Sequence, residues 1–166
     1  MLQMRDAHNR ISLMRSIDNM LGLWAAGLRS SQAILDWASA AIARPDESRQ
    51  ELFELVTYGP EQCLKRAQHD FPPRPTLMSY LQQFSVRAIE TQLDSTASTL
   101  AFAIWTSRGC MGEELSEPAV AFGYRVDHLL IDCEDEEAAL AFVRSELPAL
   151  LPRCAVVAAP FLDDEA

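Results

Sequence analysis

Apolar residues in the first half of this chain recur at steps of three and four, and a glycine or proline stops each run. That spacing lines the apolar side chains along one face of a helix. Ile11, Met14, Ile17, Leu21 and Trp24 carry the first stripe, with Asp18 as a polar exception inside it. Gly27 is placed to end that helix, because glycine accepts the left-handed conformation just past a helix C-terminus. Ser30 or Ser31 can cap the next, where Ala33, Ile34, Trp37, Ala38, Ala41 and Ile42 form a second stripe that stops at Pro45. Asp46 can cap a third helix with Leu52, Phe53, Leu55 and Val56 on its core face. Tyr58-Gly59-Pro60 ends it, and Pro60 opens a short fourth helix through Ala67. Trp24, Trp37 and Trp105 all lie in apolar stretches and read as core residues.

Pro72, Pro73 and Pro75 then favour an extended connector. It divides the chain into an N-terminal helical subdomain, residues 1–70, and an acidic C-terminal α/β subdomain, residues 71–166, together forming one compact domain. Thr76 begins another helical pattern through Leu77, Tyr80, Leu81, Phe84, Ala88, Ile89 and Leu93. Residues 95–107 fit either a buried helix or a strand, with helix preferred, and residues 109–112 form a loop. Residues 120–126 and 128–133 suit short strands. Residues 134–147 make an amphipathic helix that Pro148 and Pro152 end, and residues 154–159 suit a last strand. The expected fold class is therefore mainly α (α+β): a helical bundle followed by a part with a few short strands and one amphipathic helix. At 166 residues, such a chain buries about 70% of its unfolded surface and needs neither metal nor disulfide to fold.

Charge is segregated. Residues 1–112 carry 11 acidic and 11 basic side chains, whereas residues 113–166 carry 13 and 3, so the whole net charge of −10 lies in the last third. Phosphate recognition needs clustered Lys and Arg, so neither nucleic acid nor an anionic membrane surface is an expected partner. A basic protein is the natural counterpart. The acidic residues of this last third that stand out are Glu113, Glu114 and Glu117, which sit beside the glycine loop without a structural reason, and Asp132, Glu134, Asp135, Glu136 and Glu137 further on. These eight are the candidate partner-binding set. The last four also sit where a helix dipole favours negative charge, and a solvated face that keeps the protein soluble is the competing reading. The tail of Asp163, Asp164 and Glu165 is expected to fray.

No catalytic or metal signature is legible. His128, Asp132 and Cys133 form the tightest set of ligand types, but a strand would point Cys133 away from the other two. Cys110 follows Arg108 and Gly109 and is the candidate nucleophile of an enzyme reading, although it has no base at recognisable spacing. The paired carboxylates lie in polar runs, where solvation keeps them poor general acids. No catalytic residue, metal or cofactor is assigned. Uncharged runs such as residues 19–28 and 95–107 fall short of the roughly 20 residues that span a bilayer. The first ten residues are polar and mixed in charge, so reduced thiols in a cytoplasm are expected. Thirteen of the 14 basic residues are Arg, a bias that suits a GC-rich bacterial genome.

The segment Leu23-Trp24-Ala25-Ala26-Gly27-Leu28-Arg29-Ser30-Ser31-Gln32-Ala33-Ile34-Leu35-Asp36-Trp37-Ala38 has a helix ending at Gly and a Ser opening the next. Ala41-Ile42, Pro45 and Leu52-Phe53-Glu54-Leu55 continue the pattern. Over roughly the first 65 residues it resembles small helical bacterial immunity proteins, which neutralise a toxin made by the same cell. The resemblance implies a non-enzymatic protein that binds and blocks a basic toxin domain, and carries over no site residues. The alternatives are a chaperone for a secreted substrate and a small enzyme built on Cys110.

Overall fold

The computed structural model describes residues 2–44 and 49–163, with side chains from Leu13 onward. The elements are α1 (Leu2–Ala25), α2 (Ser31–Ile42), α3 (Gln50–Leu64), α4 (Tyr80–Glu90), α5 (Thr96–Gly109), α6 (Pro118–Asp127), a π-helical turn (His128–Asp132) and α7 (Glu136–Leu162). Two compact units result, one of residues 1–78 with 160–166 and the other of residues 79–159.

In the first unit, Gly27 ends α1 as its position suggested. Its φ is +68°, and the Leu28 N–H donates to the Leu23 carbonyl at 2.8 Å while the Gly27 N–H donates to Trp24 at 3.0 Å. This pair of bonds is the Schellman arrangement, which satisfies carbonyls that a helix end leaves open. The Ser30 side chain then accepts the Ala33 N–H at 3.1 Å and starts α2. The third helix begins at Gln50 with Arg49 in the N-cap position; Pro45 and Asp46 lie outside the described residues. Gly59, at φ 75° and ψ 163°, breaks the helical path just before Pro60. Leu13, Ile17 and Leu21 of α1 meet Ala38 and Ala41 of α2, Leu52, Leu55 and Cys63 of α3, and Phe71 of the connector.

The Pro-rich connector belongs to this unit because α1 holds it by polar bonds. Asp18 Oδ1 accepts the Arg74 N–H at 2.8 Å, and the Asp18 carbonyl accepts the Thr76 N–H at 2.8 Å. Thr76 Oγ1 donates to Asn19 Oδ1 at 2.9 Å, and Asn19 Nδ2 donates to the Pro160 carbonyl at 2.9 Å. Gly22 allows this approach, since a Cβ there would lie 2.6 Å from the Thr76 carbonyl oxygen. The following helix accordingly starts later than Thr76. Ser79 and Gln82 form a reciprocal capping box at its first turn, and Leu77 is left 95% exposed.

The second unit is organised by aromatic packing. Phe84 of α4 lies 5.3 Å from Phe102 of α5 and 5.7 Å from Phe122 of α6. Phe122 in turn lies 5.1 Å from Phe142 of α7, and Tyr80 stacks on Trp105 at 5.5 Å. Such ring pairs add about 0.5–1.5 kcal/mol each beyond the area they bury. Trp24, Trp37 and Trp105 are only half-buried, so the buried aromatic residues of this unit's core are Phe84, Phe102 and Phe122 with Tyr80.

The expected C-terminal strands are absent, and the described residues contain no strand at all. Residues 120–126 belong to α6, where Ala119, Val120, Phe122, Gly123 and Val126 are buried. Those positions follow helical spacing, and Pro118 opens the helix. Residues 128–133 form the π-helical turn and its cap. Residues 154–159 lie inside α7, which passes through Pro148 and Pro152 instead of ending there. Proline removes the hydrogen bond to the carbonyl four residues back. The carbonyls concerned belong to Arg144, Pro148 and, for Pro160, Val156, and all three residues are exposed. Water can therefore satisfy them, which is how a helix tolerates proline on its outer side. On the inner side Leu140, Val143, Leu147, Cys154 and Phe161 are buried. By length and composition α7 is the one described helix long and apolar enough to cross a membrane, with 22% of its most apolar 18-residue stretch buried.

Candidate functional site

The acidic candidates fall into two groups in the second unit. Glu113 and Glu114 are exposed in the turn between α5 and α6. Glu117 occupies the N-cap position of α6. It is half-buried, and its Oε2 accepts Arg153 Nη2 of α7 at 2.8 Å. Glu117 is thus a structural partner whose charge is already met.

The second group lies where the π-helical turn leads into α7. Glu134 has φ 52°. Asp135 caps α7, its Oδ1 accepting the Ala138 N–H at 2.9 Å and its carbonyl accepting Ala139 N–H at 3.1 Å. Glu136 and Glu137 occupy the first turn, where the helix dipole stabilises carboxylates by about 0.3–1 kcal/mol each. All of Asp132, Cys133, Glu134, Asp135, Glu136 and Glu137 are exposed.

The π-helical turn adds a relay that a strand would have separated. The Cys133 N–H donates to the His128 carbonyl at 3.0 Å, spanning five residues. This wider turn brings both the fourth and fifth residues after His128 back alongside it, whereas an α-turn would favour the fourth alone. Asp132 Oδ2 lies 3.0 Å from His128 Nδ1, and Cys133 Sγ lies 3.6 Å from His128 Nε2. Each ring nitrogen meets a different neighbour. The three groups run in line as carboxylate, imidazole and thiol, rather than converging on a point as metal ligands do.

Cys110 stands in a different environment. It is fully buried, its thiol donates to the Ser107 carbonyl at 3.3 Å, and burial, with Asp127 nearby, pushes its pKa up. A nucleophile needs access and a stabilised thiolate, and Cys110 has neither. His69 lies in the first unit, exposed and 3.1 Å from Asp70.

Two charged pairs lie beyond what local spacing in the sequence signals. Arg153–Glu117 joins residues 36 apart, which no local pattern signals. In the first unit Arg66 pairs with Glu54 and lies 4.8 Å over the Tyr58 ring, lining an open groove with Phe53 and Thr57. No protein-family model, curated protein or solved structure matches the chain.

Proposed function

We propose that this chain is a non-enzymatic bacterial binding protein of the immunity type, which acts in the cytoplasm by docking a basic toxin domain on its acidic second unit. The observation that carries this reading is the run Glu134, Asp135, Glu136 and Glu137, four consecutive exposed carboxylates at the start of α7. The unit as a whole holds 12 acidic and 5 basic side chains. Opposite charge on a partner speeds encounter and rejects wrong partners of like charge. Domains that act on nucleic acids are themselves basic, so an acidic face is complementary to that class of toxin. Glu113 and Glu114 supply further unpaired carboxylates in the same unit.

The test is co-expression with the product of the adjacent gene. A stable complex that the acidic unit forms with a basic toxin domain, with the toxin's activity suppressed, is the expected result. A neighbour without toxicity that forms no complex with this chain would remove the proposal. An isolated dimer that binds only a disordered client would favour a chaperone.

A further inference from the structure

Of the four cysteines, Cys63, Cys110 and Cys154 are buried and Cys133 is exposed. Burial pushes all three buried thiols towards the protonated form. Cys133 differs in access and in company, with His128 Nε2 at 3.6 Å and the other ring nitrogen held by Asp132 at 3.0 Å. Nucleophile, base and orienting carboxylate in that order is the arrangement that activates a thiol. We propose that Cys133 is a thiol–disulfide exchange site, with His128 as its proton acceptor, that selects cationic disulfides over anionic ones.

The selectivity follows from the surrounding charge. Between Arg125 and Arg144 the chain has six carboxylates, on Asp127, Asp132, Glu134, Asp135, Glu136 and Glu137, and no Lys or Arg. An incoming dication is concentrated at such a surface and a dianion repelled. In the exchange, the Cys133 S–H proton passes to His128 Nε2, and the thiolate attacks one sulfur of the disulfide R–S–S–R. A bond forms between Cys133 Sγ and that sulfur, and the original S–S bond breaks. The departing RS⁻ takes the proton from His128 and leaves as RSH. Cys133 is oxidised to a mixed disulfide, and half of the reagent is reduced to a thiol. The site is independent of what protein docks nearby.

The probes are cystamine, a dication, and dithiodipropionate, a dianion, each applied to the full chain and to N-acetylcysteinamide, a neutral reference thiol. Peptide mapping is expected to place the adduct on Cys133. The cystamine rate relative to the reference should exceed the dithiodipropionate rate relative to the reference by about tenfold at low ionic strength, and the two should converge at 1 M salt, where the screening length is about 3 Å. His128→Ala should slow cystamine by about tenfold or more near neutral pH, with added imidazole restoring part of the rate. Asp132→Ala should slow it less, and Asp132→Asn, which still offers Nδ1 an acceptor oxygen, should recover most of that loss. All these side chains are exposed, so helical circular dichroism should be unchanged. Adducts on a buried cysteine instead, rates equal to the reference for both probes, or a His128→Ala variant as fast as the parent would each overturn the proposal.

Discussion

The carboxylate of Asp18, in the middle of α1, accepts the backbone N–H of Arg74 at 2.8 Å across 56 residues of chain. The interaction explains why a polar residue interrupts the apolar stripe of the first helix. It also sets a pH dependence. Burial raises the Asp18 pKa, and the Arg74 N–H and positive charge oppose that only in part. A carboxyl whose folded pKa lies above its unfolded value of about 3.9 binds protons more readily in the native state. Its contribution therefore improves as pH falls through the folded pKa and weakens as pH rises. Urea titrations of the parent and Asp18→Asn should show the parent gaining on the variant as pH is lowered from neutral towards the unfolded value of about 3.9. A gap that moves the other way would mean that the Arg74 bond outweighs burial.

Gly22 lies beneath the same connector. Alanine there would gain about 1 kcal/mol of helix propensity. Its Cβ, however, would stand 2.6 Å from the Thr76 carbonyl oxygen, in a residue whose N–H and hydroxyl α1 holds. Displacing well-packed backbone costs about 1–3 kcal/mol. Gly22→Ala should thus lower the melting temperature by a few degrees, at about 2–4 °C per kcal/mol for a chain of this size. A stabilised variant would show that the connector can lift away from α1 without loss.

Tyr80 makes the corresponding buried contact in the second unit. Its hydroxyl lies 2.7 Å from Thr106 Oγ1, and burial holds the phenol protonated well above the usual tyrosine range. The sign is again that of an acid with a raised folded pKa: native stability is lost as pH rises past about 10, where the unfolded chain ionises. The difference in tyrosinate absorbance between the parent and Tyr80→Phe should stay flat until the fold opens. At neutral pH the substitution should cost about 1 kcal/mol, because it removes the partner of the buried Thr106 hydroxyl.

Asp18 also marks the limit of what the sequence discloses. The stripe 11-14-17-21-24 fixed the helix, and Asp18 was visible as the odd member, but its partner 56 residues away was not. Glycine and proline at 27, 59 and 60 were legible because each acts on its own backbone. Residues 120–126 are ambiguous in sequence because Val, Phe and Tyr fit a strand as well as a buried helix, and a short run does not separate the two. Pro148 and Pro152 do not by themselves end α7, because whether proline ends a helix depends on which side of it faces water, a tertiary property. His128, Asp132 and Cys133 stood out as the closest set of reactive side chains. Their relation reversed once the π-helical turn replaced a strand, since the turn joins the thiol that a strand would have turned away.

The acidic run at the start of α7 has two roles that kinetics can separate. Asp135 caps the helix, and Glu136 and Glu137 favour its dipole. Replacing Glu134, Asp135, Glu136 and Glu137 together with Gln or Asn keeps the cap, since Asn serves there as well as Asp. It removes four charges while sparing the geometry. If a basic toxin docks there, its association rate should fall by about tenfold at low salt and its dissociation rate should change little, because steering acts on encounter. The difference should shrink as salt is raised and the screening length falls from about 10 Å at 0.1 M to about 3 Å at 1 M. Glu113→Gln with Glu114→Gln gives the comparison, since these side chains cap no helix and any loss there reports docking alone. Association and salt dependence identical in all three proteins would reduce the run to a solvated helix start and send the search for a partner to the first unit, where Phe53, Tyr58 and Arg66 line a groove.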